Sequence, residues 1–327
     1  MMKFLFITDT HIRGNTPRNR KDNILDTIFQ KIEEIIDIVG QRGVDYILHG
    51  GDIFDRPDIS PSIVRDVMKL FKRFNRPIYA VAGNHDLFGH NPQTLHRTMV
   101  GLLDAAGIIR ILDGQYQLLE SENLRVQLSG VSYRYDLDSS GSFKHYYAIK
   151  KCKDVDYSIH VVHGMLLDKK FIEGIPYTLL DDICDTEADI TISGHYHTGF
   201  GIKKIKDKYF INPGSILRIN NSLSELNRKP AVVLIELRKG QRPMIELVNL
   251  KTAKSGELVL DRSALEKGSI QRNKLDDIFR EIQSASKFNS LNLDTIINGI
   301  ISDENIASDV KNEALRRISN IKAILEK

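Results

Sequence analysis

The 327-residue sequence predicts an α/β layered domain in which a second set of strands completes a two-sheet sandwich. Three observations predict it. Short apolar or β-branched runs alternate with helical periods through the first part of the chain. Polar and apolar residues then alternate over residues 115–135 and again over 203–211, as half-buried strands do. Finally, several of the early runs stop at a short cluster of Asp, Asn, His and Gly, the place where loops beyond the carboxyl ends of parallel strands converge on one crevice.

The elements follow in order. Residues 3–8 form a buried first strand, because the run is too short for a signal peptide. Ile24, Leu25, Ile28, Phe29, Ile32, Ile35, Ile36 and Val39 recur at helical spacing, which predicts a helix packed on the sheet with Gly40 as its stop. Strands at 46–49 and 78–82 flank a second helix over 62–74, and further strands fall at 157–162 and 190–193. Two runs at 231–237 and 244–250 flank Arg238-Lys239-Gly240-Gln241-Arg242-Pro243, a hairpin turn read as the start of a small β-rich cap over 229–264. After residue 265 three helical stripes follow: Leu275, Ile278, Phe279 and Ile282; Leu293, Ile296, Ile297, Ile300 and Ile301; and Val310, Leu315, Ile318, Ile321 and Leu325. The expected division is therefore a domain over 1–228, the cap over 229–264 and a helical segment over 265–327.

Composition narrows the class. Forty-six basic and forty-three acidic residues leave a net charge of +3, too little to mark a nucleic-acid binder on charge alone. The helical segment carries ten basic and ten acidic residues and so has no net pull on a polyanion; a protein partner suits it better. Cys152 and Cys184 have no companion spacing, which excludes a disulfide framework or a sulfur-rich metal site and favours a reducing, cytoplasmic setting. No segment approaches a membrane span.

The chemistry lies in five motifs: Asp9-Thr10-His11, Gly51-Asp52-Ile53-Phe54-Asp55, Gly83-Asn84-His85-Asp86, His163-Gly164 and Gly194-His195-Tyr196-His197. Carboxylate, amide oxygen and imidazole without thiolate suit a hard divalent ion, manganese first. Asp52 can bridge two ions, with Asp9, His11 and His197 on one and Asn84, His163 and His195 on the other. Two adjacent cations lower the pKa of a bridging water and polarise a phosphoryl oxygen. His85 is the candidate general acid, with Asp55 as the carboxylate that orients it. Any one of these residues alone is unremarkable; the ordered set points to a two-metal phosphoester hydrolase. His49, His90, His96, His145 and His160 fall outside the motifs and read as packing or surface residues.

This motif series resembles the calcineurin-like metallophosphoesterase superfamily over roughly the first 220 residues, ending at Asn212-Pro213-Gly214-Ser215, and within it is most similar to SbcD-type DNA double-strand-break repair nucleases. The resemblance implies a four-layer αββα core, a small capping domain, manganese-dependent exo- and endonuclease activity on DNA ends, and C-terminal helices that dock on an SbcC-like coiled-coil ATPase. A homodimer is also compatible with it. Two features depart: Asp55 stands where archaeal and eukaryotic relatives often carry His, and the cap is short for a full repair nuclease. Arg56 resembles a phosphate-binding arginine of serine/threonine phosphatases, although Pro57 interrupts that match. Arg13, Arg18, Arg20 and Lys21 form a basic loop after the first motif, suited to a DNA backbone. The competing readings are a phosphatase or phosphodiesterase acting on small nucleotides or phosphoproteins, and a non-catalytic scaffold.

Overall fold

The computed structural model describes residues 1–114, 116–139, 141, 146–263 and 307–325. Its chain divides into two compact units, Met1–Asp261 and Arg262–Lys327.

The first unit is built on two six-stranded sheets. In the first, β1 (Met2–Ile7), β2 (Tyr46–His49), β3 (Ile78–Ala80) and β4 (Arg110–Ile111) run parallel. Phe4, Phe6 and Met2 face the second sheet, while Leu5 and Ile7 face the helices, so β1 is buried on both sides as parallel sheets require. In the second sheet, β6 (Leu124–Val131), β7 (Tyr157–Gly164), β10 (Ile190–His195) and β12 (Lys208–Asn212) run parallel. The antiparallel strands β5 (Tyr116–Ser121) and β11 (Gly201–Ile205) close its two edges. A short parallel pair, β8 (Leu166–Leu167) and β9 (Thr178–Leu179), stands apart. The main core lies between the sheets, from Phe4, Phe6, Leu48 and Val81 on one side to Val126, Leu128, Ile159 and Ile192 on the other.

Helices α1 (Ile24–Arg42), α2 (Pro61–Lys72) and α3 (Met99–Ala105) cover the outer face of the first sheet. The outer face of the second is covered by Leu137, Tyr147, Leu180 and Ile183, drawn from loops and a 3₁₀ turn. α1 begins at Asn23, whose side chain accepts the Leu25 and Asp26 N–H groups. It passes through Gly40 and ends three residues later than the sequence suggested, at Gly43, which takes the left-handed φ of 63° and returns its N–H to the last turn. An interior glycine costs a helix less than 1 kcal/mol or so, whereas the left-handed cap selects glycine directly.

The hairpin β13 (Ala231–Leu237) and β14 (Met244–Asn249) corrects the reading of a separate cap. β13 pairs antiparallel with β1 from Met2↔Leu237 to Phe6↔Val233, and β14 pairs with β13. Its buried residues, Val233, Ile235 and Leu237, join the inter-sheet core, so burial of the inward face against β1 is what places it.

Between β12 and β13 the chain is fastened by buried cations. Lys31 Nζ donates to Ile216 O at 2.5 Å, Arg20 to Arg218 O at 2.6 Å, and Arg228 to Ser215 O. Arg218 donates to the carbonyls of Glu225, Lys254 and Arg228. Carbonyls left bare inside a protein are costly, and long cationic side chains reach them here.

In the second unit, the third predicted stripe falls on a helix, Ser308–Leu325, with Glu313 paired to Arg316 and Arg317. The two stripes at 275–282 and 293–301 lie outside the described residues. Among the described residues no helix is long and apolar enough to cross a membrane.

Candidate metal centre

The five motifs leave the carboxyl ends of β1, β2, β3, β7 and β10 and meet there. Backbone hydrogen bonds lace the first two loops together: Asp9 N to Gly51 O at 3.1 Å and His11 N to Asp52 O at 3.0 Å. Glycine is obligatory where they cross. Gly51 has φ 95°, and a Cβ on Gly83 would overlap the Oδ1 and backbone N of Asp52. Within these motifs four non-glycine residues also take positive φ, namely Asp9 (53°), His11 (41°), Asp52 (52°) and His195 (73°). Such conformations are sparsely populated and cluster where function needs a side chain aimed in one direction.

Asp9, His11, Asp52 and His197 form one group of converging ligand atoms, and Asp52, His163 and His195 a second; His11, Asp55 and His85 form a third. In the first, His197 Nε2 lies 3.1 Å from His11 Nε2 and 3.6 Å from Asp9 Oδ1. In the second, His163 Nε2 lies 3.1 Å from Asn84 Oδ1 and 3.4 Å from Asp52 Oδ2. Asp52 Oδ2 is also 3.5 Å from His11 Nε2. Asp52 thus belongs to both groups.

Surrounding groups fix the ligands. Asp9 accepts from Thr8 Oγ1 at 2.7 Å and from the backbone N–H of His195 at 3.1 Å. His163 donates Nδ1–H to Gly50 O at 2.7 Å, which turns Nε2 toward the centre, where it offers a lone pair once a metal ion displaces its proton. Ser215 donates to Asp9 O and its N–H to His197 O, so the Asn212-Pro213-Gly214-Ser215 segment buttresses both outer motifs.

Electrostatics favour a cation at this point. Asp52 Oδ2 and His11 Nδ1 are buried with no hydrogen-bond partner among the described residues, a costly state for polar atoms. Burial would raise Asp52, yet His163 and His11 hold its carboxyl well below the usual range. Burial pulls His163 down, but Asp52 and Asp9 lift it to about 9. Burial pushes Asp9 up, with His197 and His163 opposing. It holds His11 well below its ordinary value and takes His195 to about 3, helped by the charge on His163. The neutral imidazoles of His11 and His195 turn lone pairs toward carboxylate oxygens, and these repel one another unless a cation lies between them. The donor set therefore fits divalent metal ions.

Three expectations about the surrounding residues change. His85 Nδ1 lies 3.0 Å from the backbone carbonyl of Asp55, and the Asp55 carboxylate pairs with Arg13 at 2.9 Å while standing 3.8 Å from His11 Nδ1. The orienting group for His85 is thus main chain, because the carboxylate has a stronger cationic partner. Within the basic loop, Arg20 is buried and doubly bonded to Asp22, so it serves the fold, while Lys21 is exposed and donates to Glu257 O. Arg18 is exposed. Arg56 forms an exposed pair with Asp58 at 2.9 Å and belongs to the loop surface.

Two residues were not singled out from the sequence. Asp86, fully buried, accepts from Gly83 N, Ile53 N and Phe54 N, tying the second motif to the third; burial and the nearby Asp52 raise its pKa to about 7. Its place as the last residue of Gly83-Asn84-His85-Asp86 was the available signal. Tyr133 stands against His195 and His163, with ring centroids 5.7 and 6.3 Å away, and nothing in its spacing announced it. His49 and His160 are buried and bonded to Thr10 and Gly51, and to Ser129 and Tyr146 O; burial lowers them to about 3 and about 4.

Residues 2–199 match the Calcineurin-like phosphoesterase family. The chain is 22% identical over 316 residues to the double-strand break repair protein MRE11 of Encephalitozoon cuniculi, covering 85% of this chain and 52% of that one. It spans about half the length of that relative. It is 24% identical over 313 residues to the DNA double-strand break repair protein Mre11 of Nanoarchaeum equitans, covering 84% and 82%. Among solved structures, a dimetal phosphatase from Danio rerio is 14% identical, with a TM-score of 0.49 over 80% of this chain and 99% of that one.

Proposed function

Because the chain belongs to the calcineurin-like phosphoesterase family, we propose that it is a metal-dependent nuclease that hydrolyses phosphodiester bonds at DNA ends in repair or recombination. The observation that carries this reading is the buried Asp52 Oδ2, without a hydrogen-bond partner, between His11 and His163, with the four further candidate ligands Asp9, Asn84, His195 and His197 around it. The names of the double-strand break repair relatives supply the substrate class.

In this reading Asp9, His11 and His197 would hold one divalent ion, Asn84, His163 and His195 the other, and Asp52 would serve both. Manganese is the preferred ion. When bound, the ions would neutralise charge on the phosphoryl group and supply an activated water as nucleophile. The chain's own contribution is rigidity and a proton. His85 donates Nδ1–H to the Asp55 carbonyl, since a carbonyl can only accept; its Nε2 is then free to carry a proton to the leaving alkoxide. Arg13 holds the Asp55 loop in place and, with exposed Arg18 and Lys21, is a candidate contact for the DNA backbone.

The helical segment over 265–327 is proposed to dock on an SbcC-like coiled-coil ATPase, with homodimerisation and a cytoplasmic setting as accompanying expectations. The deciding experiment is cleavage of end-labelled linear duplex DNA by the purified protein with manganese, beside a magnesium control and the variants His85→Ala and Asp52→Ala. Degradation lost in both variants supports the nuclease. Failure on DNA with hydrolysis of a small aryl phosphodiester supports a phosphodiesterase instead.

A further inference from the structure

Asp9, His11, Asp52, Asn84 and His163 are buried, whereas His85, His195 and His197 beside them are partly exposed and mark the opening by which a substrate can approach. One further side chain borders that opening. Tyr133 is partly exposed, its ring tilted 48° to His195 and set edge-on to His163. Its backbone N–H is fixed to Ala82 O at 2.8 Å, at the end of β3, and no side-chain hydrogen bond to its hydroxyl occurs among the described residues. His90 also stands edge-on to the same ring, with centroids 5.9 Å apart. His90 is exposed and takes φ 58°, following Gly89 at 56°. Two consecutive left-handed residues are an uncommon way to build a loop, and here they carry an imidazole to the rim of the metal cleft.

We propose that Tyr133, braced by His90, is a substrate-positioning platform on which an unpaired nucleobase beside the scissile phosphate stacks. The inference rests on the nuclease reading and deepens it. A duplex-paired base has both faces covered, whereas an unpaired base at a DNA end offers a face to an aromatic ring. The ring adjoins the His163 and His195 side of the cleft, so a nucleoside attached to a phosphate held there lies within its reach. Stacking is indifferent to base identity because every base has a π-face, which suits an enzyme that handles ends of any sequence.

The test uses single-stranded oligonucleotides with either normal bases or abasic residues flanking the cleavage position, assayed with manganese. Thermal midpoints and retained metal establish that each variant is folded and loaded. For Tyr133→Ala, KM on the normal oligonucleotide rises roughly 5- to 150-fold, the range that loss of one base–aromatic stack carries, with kcat little changed. On the abasic oligonucleotide the variant matches wild type, and Tyr133→Phe restores the low KM. An unchanged KM for Tyr133→Ala, equal damage on both oligonucleotides, or a Phe variant as poor as Ala overturns the proposal. Should wild type cut no DNA, only the nuclease reading falls. The same KM comparison is then made between thymidine 5′-(4-nitrophenyl phosphate) and methyl 4-nitrophenyl phosphate; a Tyr133→Ala defect confined to the thymidine ester upholds the platform, and its absence overturns it.

Discussion

Asp52 Oδ1 accepts the backbone N–H of His85 at 2.8 Å, while Oδ2 of the same carboxylate faces His11 and His163. One side chain therefore links the proposed acid to both proposed metal sites. Asp52→Ala should retain essentially no metal after desalting, whereas His197→Ala and His163→Ala should each keep about one of the two ions proposed for this class of site. Elemental analysis of the desalted proteins decides it. An Asp52→Ala protein still holding two ions would remove the bridging role.

His85 and Asp55 should separate cleanly. Since His85 is held by the Asp55 carbonyl, Asp55→Asn keeps that contact and should cost little, whereas His85→Ala should lower kcat about 100- to 10,000-fold where the leaving group is an alkoxide. On a nitrophenolate leaving group, which needs no proton, His85→Ala should approach wild type. Equal losses with both leaving groups would count against an acid role.

The basic loop makes a third comparison. Arg20 lies buried against Asp22 and Arg218 O, so Arg20→Ala should destabilise the fold by about 2 kcal/mol in urea titrations, because it strands the buried Arg218 carbonyl and takes a cation from the part-buried Asp22 carboxylate. Arg18 is exposed, and Arg18→Ala should leave stability unchanged while reducing the salt slope of DNA binding by about 1. The reverse pattern would restore the sequence-level reading of the whole loop as a DNA contact.

How much of this was legible in the sequence follows from what each feature depends on. Strands such as 46–49 and the stripe from Ile24 to Val39 depend on periodicity, which one chain displays. The ligands lie in short motifs at strand ends, so Asp9, His11, Asp52, Asn84, His163, His195 and His197 could be named before their meeting point was seen. The partners of Arg20 and Asp55 depend instead on competition between distant groups: Arg13 reaches the Asp55 carboxylate first, and Arg218 offers its carbonyl 198 positions away from Arg20. The hairpin 231–249 looked separate because it follows a long excursion through the second sheet, yet its inward face needed β1. Positive φ at His11 and His195 has no residue signature at all.

Lys31 gives the last prediction, one that concerns pH. It lies on the buried face of α1 and donates to Ile216 O. Burial first, and then Arg218, Arg228 and Arg20, lower its pKa to about 7, with Asp22 opposing. Its folded value is thus depressed below the unfolded value of 10.5. Below about 7 both states carry the proton, and the native state bears the full cost of a buried charge. Between that point and the unfolded value the unfolded chain holds the proton and the native chain releases it, so stability rises with pH, by up to about 1.4 kcal/mol per pH unit for one proton. Wild type should therefore gain about 2 kcal/mol between pH 8 and 9.5 relative to Lys31→Met, which has no proton to release. Urea midpoints of the two proteins at both pH values measure the difference. Parallel pH profiles would mean that Lys31 stays charged inside the fold.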